Sequence, residues 1–580
     1  MPRFMPTTLE ECRRLGWSQL DVVLVTGDVY LDAPHIGVAV VGRVLLNAGF
    51  RVGIIAQPDT QSDRDIARLG EPRLFWGVSG GCVDSMIANY TASERRRRSD
   101  DMTPGGRNDR RPDRAVLAYS HLIRRHFKQT VPIVLGGIEA SLRRISHYHA
   151  WSDGVRRSIH FDAKADLLLY GMADQSVVDL ADRLQRGADV RDLRGLCYIS
   201  RELPPPVEGF PTPDGLLPPH AEVIRDKAAF SRMFTLFYDN ADPATARRLI
   251  QQQDTRYLVH NPPAWLPEPA ALDAVYELPY ARQVHPYYSG QGPVAAMETI
   301  PFAITTHRGC FGECRFCAIT VHQGRRVVSR SQGSILREAE AIARHPNFKG
   351  IIPDVGGPTA NMYAMGCGRR SAAACGKKGC LFPGPCRRLA TDHGPQIALL
   401  QALRAIPGVR RVFVASGLRY DLILQDQRSG RRYLEELLRH HTSGQLKIAP
   451  EHVHDPLLHL MGKPGRGQLE AFLALFQEID RRLPRRQFLT YYFMAAHPGC
   501  GLEEMRALRA YAEKTLRLIP EQVQIFTPSP STYATLMYYT GIDPFNGAPI
   551  FVERGLRAKI AQKEALTARA KHFSKPKYTD

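Results

Sequence analysis

Three cysteines fall within eight residues: Cys310, Cys314 and Cys317, in the run Arg308-Gly-Cys-Phe-Gly-Glu-Cys-Arg-Phe-Cys317. The run follows an apolar stretch over 300–304 that reads as a strand. Thiols spaced C-x3-C-x2-C share one short loop, so a single metal centre can gather them. Iron–sulfur sites use cysteine thiolates, and four of them complete a [4Fe–4S] cluster. Three thiolates hold three irons and leave the fourth open to an exchangeable ligand. The competing reading is a zinc knuckle. Zinc takes four N/S ligands, often as paired C-x2-4-C hooks, and His307 or His322 would supply the fourth. The strand, loop and helix signals around the motif favour the cluster.

The chain on either side alternates. Apolar strand-like runs at 21–26, 51–56, 74–78, 133–135 and 167–170 are separated by helical or polar segments, 37–47 being the clearest helix. This pattern predicts an α/β fold with a doubly wound parallel sheet, whose ligands sit beyond the carboxyl ends of the strands. From residue 299 onward, strands are predicted at 300–305, 350–354, 412–415, 446–449, 488–493 and 523–526, with helices at 334–343, 432–440, 468–482 and 502–516 between them. Six β/α units suggest a partial (β/α)6 barrel with its chemistry at the C-terminal strand ends. At 580 residues the chain exceeds one ordinary domain. The expected plan is a Rossmann-like sheet domain over 1–202, a Pro-rich linker and connecting helical region over 203–298, the barrel over 299–535 and a basic tail over 536–580.

The formal charge is +19. Basic surfaces concentrate polyanions, so the charge admits RNA or another anionic substrate as a partner; solvated surface arginines are the plainer reading. Residues 91–114, with Arg95 to Arg98 and Pro104-Gly105-Gly106, read as a mobile surface loop or an arm contacting phosphates. Arg143, Arg144, Arg156 and Arg157 either anchor an anionic substrate or face solvent. No apolar run approaches the ~18 residues of a membrane span, and the first 20 residues lack an apolar h-region. The cytoplasm is the expected compartment, with reduced thiols that serve metals better than disulfides.

A second cysteine group, Cys367, Cys375, Cys380 and Cys386, lies in a Gly- and Lys-rich insertion over 361–392. Such a loop has little apolar content to fold on, so a metal would supply the ordering energy. A second Fe–S cluster and a structural zinc both suit four thiols.

The first motif resembles the C-x3-C-x-Φ-C signature of the radical S-adenosylmethionine (SAM) enzymes, with Phe316 as the aromatic. The resemblance implies that the amino and carboxylate groups of SAM chelate the open iron, that reductive cleavage gives a 5′-deoxyadenosyl radical, and that a flavodoxin or ferredoxin supplies the electron. Gly356 and Gly357 match the glycine pair whose carbonyls bind the SAM amino group, with Pro358 in place of the usual Glu. Ser416 and Arg419 suit the SAM carboxylate, Arg offering a bidentate fork, and Glu451 suits the ribose hydroxyls; a cap or salt bridge is the alternative for each. No residue is singled out as catalytic. In the N-terminal half, Asp32-Ala-Pro-His35-Ile-Gly37, Ser79 and Gly136-Gly137 resemble a cobalamin-binding domain. The spacing is D-x-x-H-x-G where that domain has D-x-H-x-x-G, which argues against bound cobalamin and for a cofactor-free relic of the fold.

Over most of its length the chain resembles the YgiQ-type radical SAM proteins: Gly136-Gly-Ile-Glu-Ala-Ser-Leu-Arg-Arg144, Asp354-Val-Gly-Gly-Pro-Thr-Ala-Asn361, Ala415-Ser-Gly-Leu-Arg-Tyr-Asp421, Lys447-Ile-Ala-Pro-Glu-His452 and Ala495-Ala-His-Pro-Gly499 carry the likeness. It implies a radical enzyme that abstracts hydrogen from an unassigned substrate, RNA among the candidates. The alternatives are a cobalamin-dependent radical SAM methyltransferase and a zinc-containing RNA-binding protein.

Overall fold

The structure, a computed structural model, describes residues 2–367 and 379–568, so Cys375 lies outside the described residues. Strands β1 (Val22–Thr26), β2 (Val52–Ala56), β3 (Phe75–Ser79), β4 (Ile133–Gly136) and β5 (Leu167–Leu169) are parallel, in the order β2-β1-β3-β4-β5. Their Val, Ile and Leu runs are covered on both faces, as parallel strands require. The register sets Thr26 beside Ala56 and Ser79, and Ser79 beside Gly136, so the carboxyl ends finish in one row. Helices α1 (Gly37–Asn47) and α2 (Asp174–Arg186) pack over one face.

The sheet does not stop at residue 202. Strands β6 (Leu196–Ser200), β7 (Gly215–Leu217), β8 (Leu249–Gln253) and β9 (Arg256–His260) extend it to nine, in the order β6-β9-β8-β7 beyond β5. The segment 203–298, expected as a linker, thus supplies three strands, and antiparallel pairings make the sheet mixed. Gln251, Gln252 and Gln253 hide β8 from an apolar pattern. Two of them are buried because they bond inward: Gln251 Oε1 accepts from the Ser146 amide and Gln253 Oε1 from the Ser158 amide, at 3.2 and 2.9 Å.

Several expected surface cations are internal braces. Arg111, inside the presumed mobile loop, is buried between Asp28 and Asp100 at 2.6 and 3.0 Å. Arg143 pairs with Asp84, and Arg144 lies over the rings of Tyr170 and Phe237.

The C-terminal half is an open arc of short parallel pairs. Strand β10 (Ile304–Thr305) pairs with β12 (Val355–Gly356), and β11 (Ile351–Ile352) with β15 (Arg411–Val412); β13 (Gly366–Cys367) and β14 (Leu389–Ala390) form a hairpin in the insertion. Strands β16 (Gln445–Glu451), β17 (Phe488–Ala495) and β18 (Gln522–Ile525) close the arc in sequence order. The predicted tail is partly folded: in helix α3 (Leu556–Thr567), Gln562 accepts from the Ala496 amide at 2.9 Å and donates to the Cys500 carbonyl at 3.1 Å. The halves meet through Tyr148 stacked on Tyr539 and Ser531 bonded to the Leu142 carbonyl. Among the described residues no helix is long and apolar enough to cross a membrane.

Candidate functional site

The cysteine loop begins on a backbone that only glycine tolerates: Gly309 has φ +81°, and a Cβ there would lie 1.8 Å from the Arg326 carbonyl oxygen. The loop then turns so that the Gly312 amide donates to Cys310 Sγ at 3.3 Å and the Cys317 amide to the Cys314 carbonyl at 2.9 Å. A Cβ on Gly312 would sit 3.2 Å from Cys310 Sγ, 3.8 Å from Cys314 Sγ and 3.1 Å from Arg419 Nη1. That glycine keeps open a cradle bounded by two thiols and a cation. Burial first, then the neighbouring Cys314 and Cys310, push the Cys317 thiol up to about 12. A bound metal reverses this and deprotonates the thiols outright. Among the described residues no three His, Cys, Asp or Glu side chains close around a single metal ion. Of the two candidate fourth ligands for zinc, His307 is turned onto Gly357, and His322 Nδ1 shares a hydrogen bond with Ser141 Oγ at 3.0 Å.

The strand ends around the loop carry the other predicted residues. Phe316 meets the His497 ring edge-on at 6.2 Å. Gly356 ends β12, and its carbonyl already accepts from the Thr306 amide at 2.7 Å. Gly357 packs against an imidazole: a Cβ there would lie 2.5 Å from His307 Nε2, a buried nitrogen with no partner. Burial holds His307 down to about 4, so it is neutral. Ser416 bonds Asp354 through both its amide and its hydroxyl, which fixes the end of the third barrel strand.

Arg419 departs from expectation. Its Nε and Nη2 engage Asp421 at 2.8 and 2.6 Å, so the fork foreseen for the SAM carboxylate is closed by the protein; Nη1 alone is left, 3.6 Å from Cys314 Sγ. A buried cation beside thiolates offsets their charge. The Arg419 backbone is clamped by Asn361, which receives its amide at 2.8 Å and donates to its carbonyl at 2.9 Å. Asn361 in turn touches His393, whose Nδ1 is 2.7 Å from Asp426. This chain of contacts was not foreseen, because His393 and Asp426 lie outside the recognised motifs. Glu451 has φ +67°, and burial pushes its carboxyl up to about 7, with Lys463 at 3.9 Å partly opposing.

Between the two halves lies a cavity of about 540 Å³. The carboxyl ends of both sheets open into it: Thr26, Ser79 and Gly136 from one side, Thr305 and Gly356 from the other. Leu24, Phe75, Gly77, Val134 and Val177 form an apolar shaft that runs down into the N-terminal sheet. His35 lines the mouth, half-buried, with Nδ1 unpartnered and its basicity lowered by desolvation to about 4. The neighbouring Asp32 is engaged elsewhere, pairing with Arg43 and accepting from the Ala281 amide. Ser79 and Gly137 touch, since a Cβ on Gly137 would lie 2.6 Å from Ser79 Oγ.

Three of the second cysteine group are described. Cys367 pairs across the hairpin with Leu389, and the Cys386 amide donates to the Cys380 carbonyl at 2.8 Å. Cys380 and Cys386 pack on the same small core as Cys310 and Phe311.

Residues 4–303 match the family model described as Radical SAM N-terminal. The UPF0313 protein of Fusobacterium nucleatum is 51% identical over 98% of this chain and 100% of its own length. UPF0313 proteins of Thermotoga neapolitana and Methanocella arvoryzae are 46% and 47% identical, over 98% and 96% of this chain and 99% and 92% of their own. Among solved structures, the radical SAM methyltransferase TsrM from Kitasatospora setae, with cobalamin and a [4Fe-4S] cluster bound, superposes with a TM-score of 0.48 at 16% identity, over 89% of this chain and 77% of that one. The cobalamin-dependent radical enzyme OxsB also gives 0.48, at 13% identity, over 90% of this chain and 56% of that one. The chain belongs to the UPF0313 family and is an enzyme of the radical SAM type, which works with a [4Fe–4S] cluster and S-adenosylmethionine.

Proposed function

We propose that Cys310, Cys314 and Cys317 hold the cluster, and that the chain uses SAM to abstract hydrogen from an anionic substrate, RNA being favoured by the charge of +19. The observation that carries the reading is the cradle at Gly312, where two thiols and the Arg419 guanidinium surround one point within 4 Å. A cluster held there would supply one electron to break the C5′–S bond of SAM, releasing methionine and an adenosyl group that would take hydrogen from the substrate. The protein's part is binding, orientation and exclusion of water. Arg419, held by Asp421, offsets thiolate charge. Glu451, in its ionised form, accepts from the ribose hydroxyls, and Gly357 lets the ligand approach the strand end beside His307. The test is anaerobic reconstitution with iron and sulfide, then SAM and dithionite: 5′-deoxyadenosine and methionine should accumulate. Zinc without iron, and no cleavage, would favour a zinc-containing RNA-binding protein.

The cavity supports a second reading, a cobalamin-dependent methyltransferase. Protein interiors pack to crystal-like density, so a relic of a cofactor fold would close over its lost ligand. Here the apolar shaft suits a corrinoid's base, with His35 among the residues at its mouth. Purification with hydroxocobalamin should then leave a bound chromophore; a colourless protein removes this reading and leaves the first intact. Cys367, Cys380 and Cys386 are proposed as ligands of a second metal centre, which iron and zinc analysis of the Cys386→Ala variant would detect as a partial loss of one metal.

A further inference from the structure

We propose that the outer face of the cysteine loop, where Arg315 is sandwiched between Phe382 and Phe545, docks a small acidic protein that carries a one-electron flavin or iron–sulfur centre. The inference rests on the radical SAM reading, which requires an electron from outside the chain. In the docked complex the carrier loses one electron and the cluster of this chain gains one; no bond or proton moves.

Arg315 lies between the second and third thiols of the loop, so its side chain leads from the cluster loop toward the surface. Its amide donates to the Met461 carbonyl at 2.9 Å and its Nη1 to the His459 carbonyl at 2.8 Å. The guanidinium carbon is 3.6 Å from the centroid of the Phe545 ring and 4.8 Å from that of Phe382. Phe545 is nevertheless 46% exposed, and Ile542 on the same turn is 43% exposed. The turn is rigid: buried Asp543 accepts from the Phe545 amide at 2.9 Å, and its own amide donates to the Ala548 carbonyl at 2.8 Å. A preset aromatic knob loses little conformational freedom when a partner covers it.

The fringe supplies charge. Arg387 and Arg388 are exposed a few residues beyond Phe382, in the segment that also carries Cys386. An apolar centre with a cationic rim fits the small, transient interfaces of electron carriers, where charge sets the encounter rate more than the affinity. The loop's other neighbours, Arg308 and Ile319, line the interdomain cavity. Substrate and electron thus approach the loop by separate routes.

The reconstituted full chain is compared with Phe545→Ser and with an Arg387→Glu, Arg388→Glu double variant. Two quantities are read: the Kd of an oxidised flavodoxin at low and moderate salt, and SAM cleavage driven by the reduced flavodoxin or by dithionite. The double variant should weaken binding about tenfold at low salt and flatten its salt dependence. Phe545→Ser should weaken binding at both salts. Flavodoxin-driven cleavage should fall in both variants, while dithionite-driven cleavage stays within about twofold of the parent. Unchanged Kd values overturn the proposal. So does an equal loss with both reductants, or an effect of Phe545→Ser confined to self-association of the chain. Absence of dithionite-driven cleavage in the parent would instead sink the radical SAM reading, while the Kd measurements still judge the docking face.

Discussion

The two sheets open into one cavity but finish their edges in opposite ways. On the barrel side the charged groups are already paired: Arg419 with Asp421, Asp354 with Ser416, and His393 with Asp426. On the N-terminal side, small residues and apolar walls surround a shaft. Fixed dipoles and charges stabilise a charged ligand without reorganising. An apolar shaft with few polar groups selects by shape. One fold therefore offers a preorganised polar site and a shape-defined one, joined at a common mouth.

The comparison breaks most sharply at the cysteine loop. Cys314→Ala should bring SAM cleavage to background and remove the iron held there, leaving any corrinoid bound in the shaft; iron content and product analysis read both. Next comes the Arg419–Asp421 pair. Asp421→Ala strands a buried guanidinium, which costs about 3 kcal/mol or more, and should appear as a clear fall in thermal stability with weaker cluster retention.

Glu451 gives a pH test. Its folded carboxyl lies near 7 against an ordinary value of 4.5, so the folded state holds a proton that the unfolded state has released. Stability should therefore fall as pH rises from about 4.5 to 7, by up to about 3 kcal/mol, and level off above. SAM affinity should move the other way, rising as the carboxylate forms. Glu451→Gln should flatten both trends, which calorimetry at pH 5.5 and 8 would show. The smallest expected effect on catalysis is Val134→Phe, which places a ring in the shaft. SAM cleavage should stay within about twofold, since the cavity accepts the added volume, while uptake of hydroxocobalamin, if present in the parent, should be lost.

Much of this was legible in the chain. The thiol spacing is local, and the parallel strands announce themselves because burial on both faces demands uninterrupted Val, Ile and Leu. Strand β8 was not legible, since its glutamines are buried by bonding to Ser146 and Ser158, residues about a hundred positions away. Arg111 looked like a surface cation for the same reason: Asp28, which buries it, is remote in sequence. At the site, the structure sets Arg419 Nη1 beside Cys314 Sγ, but the orientation of its fork depends on Asp421, and sequence alone does not tell a fork aimed at a ligand from one closed by a neighbour. The need for glycine at 357 comes from the His307 ring across the β10–β12 pair.

The central claim is a cluster with one iron left for SAM. Electron paramagnetic resonance of the dithionite-reduced, anaerobically reconstituted protein tests it most directly, recorded before and after SAM is added. The account predicts a [4Fe–4S]⁺ signal whose g-values shift on addition of SAM and which Cys314→Ala eliminates. A signal indifferent to SAM, or one that survives in Cys314→Ala, would contradict it.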